Sequence, residues 1–324
     1  GQRLGDWFVP GSLESANANF PENTWAFPQT SFTFGVFYNG TLFDENGWPA
    51  PSELTWEEFV ELQEEIAQEL PVWAYAGGNA PGYFGYVTQP LIYKNIGADA
   101  WCDLNNVVEG AWNNPGIVEA LELQQQIMTT PGFQLAGTEA MTHTESQQAF
   151  VEGKVAMIPN GSWLSSEQKS TTPEGFDMRF SAVPAPANGL GFPQAIAASL
   201  GGTDMMVGNG DNPLWALEVM RMFYSPEMAE FWASEIGSPL PLQTGDTVAS
   251  TPYSESITSA IAAADGHFIT DNFGGYEAIG KVWGDNFQDM LYGKISATEF
   301  TELLERAAQE TRDSGVEIIE RTCS

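Results

Sequence analysis

Ser199 sits in Ala197-Ala198-Ser199-Leu200-Gly201, which has the spacing of a strand-to-helix nucleophile elbow with Ala in place of the leading Gly. Asp265 and His267 follow it, in the Ser, Asp, His chain order that a hydrolytic triad on such a turn would need. The chain also carries 43 Asp and Glu residues, so chance pairs able to serve a glycosidase abound. Neither pattern is distinctive. Loose five-residue matches are common, and the carboxylates nearest Trp163 are Glu152 and Glu167, neither of them adjacent. The two His and two Cys never cluster, so no metal site and no catalytic residue is read here. A second set of residues points to binding. Ala76-Gly77-Gly78-Asn79-Ala80-Pro81-Gly82-Tyr83-Phe84-Gly85-Tyr86 sets three aromatics on a glycine-rich loop. No Lys follows these glycines as a phosphate-binding loop requires, so the aromatics read as a stacking surface. A role at the edge of the core is equally open for Phe84 and weaker for Tyr83.

The elements that would position these residues are legible in outline. Thr144 with Gln147 has the form of a capping box that opens a helix, and Gly153 supplies the left-handed residue that closes it. Lys154 to Ile158 then reads as a short buried strand, Pro159 to Ser162 as a turn, and Trp163 is delivered where the strand ends. His143 lies beside that helix, where a ligand hydrogen bond and a capping role are both open. Upstream, Thr30 to Tyr38 reads as a strand turned by Asn39-Gly40. Thr55 with Glu58 caps a helix whose apolar face is Trp56, Phe59, Val60, Ile66, Ala67 and Leu70. Pro71 to Tyr75 reads as a strand, and Asn114-Pro115 opens a helix with Ile117, Ala120, Leu121, Gln124, Ile127 and Met128 on one side. Phe180 to Val183 is a strand and Ala195 to Leu200 a small-residue run. Helices follow from Asn212-Pro213, from Ser225-Pro226, over Tyr276 to Leu291, and from the Ser296–Glu299 box. Strands alternating with helices predict an α/β class with a largely parallel sheet.

Composition removes whole classes of partner. The net charge of −32 arises from a shortage of bases, 11 Lys and Arg, and charged residues total 17% against the usual ~25%. Phosphate recognition needs those bases, so composition argues against nucleic acid and anionic membrane surfaces as partners. An acidic, self-repelling surface is the plainer reading. Cys102 and Cys323 could form one bridge outside the cytoplasm or stay free, and the sequence leaves both open. No run of about eighteen apolar residues is present.

In this order, FYNGTLFDENG, SELTWEEF, NNPGIVEALEL, QQAFVEGKVAMIPNGSW and MLYGKISATEFTELLERAA resemble extracellular solute-binding proteins of carbohydrate ABC importers, over nearly the whole chain. PGYFGY, AMTHTESQQAF and PNGSW are more similar to the members that bind N-acetylglucosamine and chitobiose. The resemblance implies a type II periplasmic-binding-protein-like fold of two α/β lobes that close on a sugar held in the cleft between them. The lobes would be 1–32 plus 196–267 and 33–195 plus 268–324. Only 37 residues precede the Tyr-Asn motif, fewer than the family carries, so the N-terminal lobe is expected to be incomplete and the chain truncated. Aromatic surface around Trp7, Phe8, Phe20, Trp25 and Phe27 should then be under-covered.

The implied ligand residues are Trp163 and Asn160 of the PNGSW motif, Tyr83 and Phe84, His143, Gln29 and Ser31 at one lobe crossing, and Ser199 and Gly201 at the next. A pyranose offers C–H faces to aromatic rings and hydroxyls to polar groups, so scarce Lys and Arg are no obstacle. The implied partners are the sugar and the membrane permease subunits of the importer, with a monomeric binding protein and no cofactor. The implied location is extracellular or periplasmic, with a lipid anchor upstream of this chain. The alternative carried with it is a carbohydrate-active or serine hydrolase.

Overall fold

The computed structural model describes residues 4–8, 12–17, 24, 26–29, 32–199, 204–206, 211–232, 240, 242–243, 251–270 and 273–320. In chain order the elements are α1 (Ser12–Ala16), β1 (Ala26–Pro28), β2 (Phe32–Asn39), α2 (Gly40–Asn46), α3 (Trp56–Ile66), α4 (Gly85–Asn105), α5 (Pro115–Thr129) and α6 (His143–Val151). Then come β3 (Met157–Gly161), α7 (Leu164–Glu167), β4 (Met178–Ser181), β5 (Ile196–Ser199), β6 (Asp204–Met206), α8 (Pro213–Phe223) and α9 (Pro226–Phe231). The chain closes with α10 (Pro252–Ala264), β7 (Phe268–Ile269), α11 (Glu277–Leu291) and α12 (Ala297–Asp313). These residues form two compact units. Unit 1 is Gly1–Thr33, Gly161–Lys169 and Ala198–Thr251; unit 2 is Phe34–Asn160, Ser170–Ala197 and Pro252–Ser324.

A mixed sheet runs in the order β3-β2-β5-β7, with β4 also paired to β2. In the sheet expected from the sequence, β5 and β7 are parallel, and β4 joins antiparallel to β2. Two cap signals form as their spacing implies. Thr55 and Glu58 form the full reciprocal box, and Asn114 caps α5 ahead of Pro115. All six residues read as the inner face of α5 are buried. These helices and the sheet enclose an aromatic-rich core that includes Trp56, Phe59, Trp73, Tyr75, Phe84 and Trp112.

Several local readings shift. Asn39-Gly40 is not a turn: the Asn39 side chain accepts from Leu42 N at 3.1 Å and caps α2. Gly40 is needed because a Cβ there would lie 2.7 Å from Asp177 Oδ2, inside the Arg179–Asp177 pair. Among the described residues, 71–75 pair through isolated bridges from Trp73 to Gln134 and Met157. The aromatic loop runs through a turn at Pro81–Phe84 directly into α4, which contains Pro90 and breaks its helical dihedrals at Gly97. Cys102 is held in a disulfide, and the second cysteine, Cys323, lies outside the described residues.

Unit 1 has an antiparallel β1–β6 pair and a small core of Phe8, Met220, Tyr224, Ala229, Leu240 and Leu242. Phe8 meets Tyr224 edge-on at 4.9 Å, with Trp7 and Phe27 packed partly buried against the same core. The under-covered aromatic surface expected around Phe8 is therefore covered at that residue; Phe20 and Trp25 lie outside the described residues. The exposed apolar surface is instead on α8. Trp215, Val219 and Met222 follow the i, i+4, i+7 spacing of one helix face and are 65–72% exposed, whereas Met220 is turned into the core.

Candidate functional site

In unit 1 the site is built on Trp163. β3 begins at Met157, not Lys154, and Pro159, Asn160 and Gly161 belong to it and not to a turn. Pro159 is tolerated because the pairing of β3 with residues 71–73 is an isolated bridge at Met157, and beyond it the strand can forgo one N–H. Past the strand, Ser162 N donates to Thr33 O at 2.9 Å and Thr33 N donates to Ser162 Oγ at 3.2 Å, which fixes the exit from β3. Trp163 then starts α7, its carbonyl accepting from Glu167 N and from Ser166 Oγ. The half-buried indole meets Phe32 edge-on at 5.1 Å and lies across Gly161. A Cβ at Gly161 would overlap the six-membered ring of the indole, so only glycine admits this placement. Gln29 and Ser199 are half-buried in the same unit, at the ends of β1 and β5. Ser31 and Gly201 lie outside the described residues.

In unit 2 the aromatic loop forms a continuous run of rings. Phe34 stacks on Tyr86 at 4.8 Å, Tyr86 meets Tyr83 at 5.4 Å, and Tyr83 lies 6.3 Å from the His143 ring. All four are half-buried. The glycines hold this loop tightly instead of freeing it. Gly77 N donates to Thr138 O and Gly78 N to Met141 O, and a Cβ on either glycine would strike the backbone of 139–140. That approach brings Asn79 onto His143.

The helix carrying His143 is capped two residues earlier than the sequence reading placed it. Thr142, not Thr144, accepts from Glu145 N, and the Glu145 carboxylate takes Thr142 N at 2.8 Å. The bonds from Thr142 N and Thr142 Oγ1 to this carboxylate hold it below its usual range. His143 is thus the first helical residue, and its N–H donates to Asn79 Oδ1 at 2.8 Å. With Oδ1 so used, Asn79 Nδ2 donates to His143 Nδ1 at 3.1 Å, which leaves the ring proton on Nε2, beside Thr144 Oγ1 at 3.3 Å. Gly153 closes the helix at φ +71°, as read from the sequence.

Two sequence candidates are corrected. Phe84 is fully buried, 4.8 Å from Tyr75 and 5.7 Å from Trp73, so of its two open roles the structure selects the core. Asn160 is also fully enclosed within β3 and presents no surface. His267 of the hydrolase alternative stacks its ring on Phe192 at 4.3 Å. Sequence reasoning left Asn79, Phe32 and Phe34 out of the site and did not single out Tyr86 within its loop. Tyr86 carried a signal, three residues after Tyr83 where a helical turn aligns side chains; the Asn79–His143 contact spans 64 positions and carried none.

The fold is that of two-lobed solute-binding proteins. It matches a chitin oligosaccharide binding protein with a TM-score of 0.79, at 18% identity, over 96% of this chain and 77% of that one. It also matches RafE in complex with raffinose with a TM-score of 0.72, at 17% identity, over 95% of this chain and 78% of the other. The sequence profile of the family described as bacterial extracellular solute-binding protein matches residues 2–230, and the chain belongs to that family. Among curated relatives, the diacetylchitobiose binding protein NgcE of Streptomyces coelicolor is 25% identical over 232 residues, 71% of this chain. A multiple sugar-binding protein of Streptococcus mutans is 28% identical over 178 residues, 52% of this chain. The chain spans about half the length of the first, 48%, and 40% of the second. No helix among the described residues is long and apolar enough to cross a membrane.

Proposed function

We propose that this chain binds a neutral sugar or short oligosaccharide as the substrate-binding component of an ABC importer. The observation that carries the proposal is the ring run Phe34–Tyr86–Tyr83, half-exposed and bordered by the Asn79–His143 pair. Stacked aromatic faces take the C–H faces of a pyranose, while amide and imidazole groups at their border take hydroxyls. Trp163 supplies a second platform within unit 1, with Gln29 and Ser199 as further polar contacts, joined by Ser31 and Gly201. No Lys or Arg is among these residues, which suits an uncharged ligand.

The names of the relatives narrow the ligand to be tried first: N,N′-diacetylchitobiose and related oligomers, then raffinose-type sugars. On this reading the chain forms two lobes, near 1–32 plus 196–267 and 33–195 plus 268–324; the compact units differ from these bounds in grouping 161–169 with the first and 252–267 with the second. The protein works as a monomer, held outside the cell by a lipid upstream of this chain, and hands its sugar to the permease subunits. Titration of a sugar panel followed by tryptophan fluorescence tests the proposal. Saturable quenching by a neutral oligosaccharide, lost in Trp163→Ala, supports it. Reducing-sugar release from chitobiose would instead mark a hydrolase.

A further inference from the structure

Lys94 is fully buried on α4, yet among the described residues no carboxylate bonds its Nζ. Its Nζ donates to two backbone carbonyls, that of Val183 and that of Pro193 at 2.6 Å. These two acceptors bracket the connector between β4 and β5, so one side chain fastens both of its ends. The backbone of the same helix turn holds the middle. Gly191 N donates to Lys94 O at 2.9 Å and Leu190 N to Asn95 O at 3.3 Å. Gly189 and Gly191 allow this approach, because a Cβ at either would overlap the α4 carbonyls of Lys94 and Tyr93. The connector runs directly into β5, which carries the chain from unit 2 into unit 1 and ends at Ser199.

The number of acceptors matters. A neutral amine has two N–H groups and finds two carbonyls, whereas an ammonium brings a third N–H and a full charge into an apolar interior. Connector residues 184–195 contain no ionisable side chain. The ionisable groups on the neighbouring elements are Tyr86, Tyr93, Asp99 and Asp103 of α4, Glu119 and Glu122 of α5, Glu57, Glu58, Glu61, Glu64 and Glu65 of α3, Tyr83 ahead of α4, Arg179 of β4 and His267 beside β7. Several are engaged elsewhere: Glu57 accepts from Ala187 N, Glu119 from Asn95, and Arg179 binds Asp44 and Asp177. None forms a hydrogen bond or ion pair with Nζ among the described residues.

We propose that Lys94 is a positioning residue that fixes the 184–195 connector as a neutral amine, and that proton uptake loosens the connector and the strand that delivers Ser199. The sign follows from linkage. Burial pushes the Lys94 ammonium down to about 7, against about 10.4 when it is exposed. The opened connector therefore binds more protons between these values, and opening grows as pH falls from about 10 toward 7 and then levels. Any effect on solute affinity rests on the proposed sugar-binding function; the loosening itself does not.

The test uses the whole chain labelled at the side chains of its five lysines, Lys94, Lys154, Lys169, Lys281 and Lys294. One lysine resonance should titrate near neutrality, and it should be missing from Lys94→Met. Quench-flow hydrogen exchange of Gly189, Leu190 and Gly191 should lose protection about tenfold for each pH unit lowered between about 10 and 7 in the native chain. The same amides should show no such slope in Lys94→Met. Five lysines that all titrate near 10.4, or equal slopes in both chains, would overturn the inference. The lysine titration needs no variant and no solute, so it stands if the variant fails to fold or if no sugar binds.

Discussion

Gly161→Ala probes the Trp163 platform from beneath. The added Cβ would lie 2.6 Å from Cε3 of the indole and closer still to Cζ3 and Cη2, whereas carbon contacts settle at ~3.5–4.0 Å. The ring must therefore move by about 1 Å or more, since the methyl is fixed to backbone within β3 and cannot yield. Overpacking of this kind costs about 1–3 kcal/mol, and weakening the edge-on contact with Phe32 adds about 0.5–1.5 kcal/mol. A loss near 2–3 kcal/mol is expected in chemical denaturation of unit 1. Displacing the platform should weaken sugar binding about tenfold or more, each tenfold being about 1.4 kcal/mol. The decisive assay is a double-mutant cycle with Trp163→Ala, measured by denaturation and by titration calorimetry. Once the indole is gone, Gly161→Ala has nothing to displace and should cost almost nothing. Equal costs of Gly161→Ala with and without the indole would refute the proposed packing.

Lys94 makes stability depend on pH. Its folded-state value near 7 lies below the unfolded value, so the unfolded chain holds more protons between about 7 and 10.4 and stability rises with pH across that window, by a few kcal/mol. In Lys94→Met that part of the rise should vanish when the two denaturation profiles are subtracted. Thr142→Ala removes the cap of α6 and should cost about 1 kcal/mol in thermal unfolding, with a loss of sugar affinity because His143 and Asn79 lose their shared anchor. Arg179→Ala leaves the poorly exposed Asp177 without its cation and should cost about 1–2 kcal/mol in urea unfolding, a loss that 1 M salt reduces only in part.

How much of this could be read from the sequence follows from the range of each interaction. Caps and left-handed glycines act over three or four residues, and Thr55–Glu58, Asn114-Pro115 and Gly153 all do what their spacing implies. Where two local solutions compete, spacing alone misled. Thr142–Glu145 and Thr144–Gln147 fit the same box, and the structure uses the first, whose helix start lets Asn79 bond His143 N–H. Asn39-Gly40 suits a hairpin turn in isolation, but the glycine serves an Arg179–Asp177 pair more than 130 positions away. Pro159-Asn160-Gly161 has turn chemistry, yet a short buried strand accommodates it, and the glycine there makes room for a ring. The placement of Trp163 was legible because it follows directly on a strand. The amide–imidazole pair beside Tyr83 was not, because a backbone contact between the glycine loop and residues 138–141 creates it.

Titration calorimetry of the unmodified chain against N,N′-diacetylchitobiose, raffinose, neutral disaccharides and a set of charged amino acids tests the central claim most directly. The account predicts saturable one-to-one binding of at least one neutral sugar and no heat from the charged solutes. Binding of a charged solute, with no response to any neutral sugar, would contradict it.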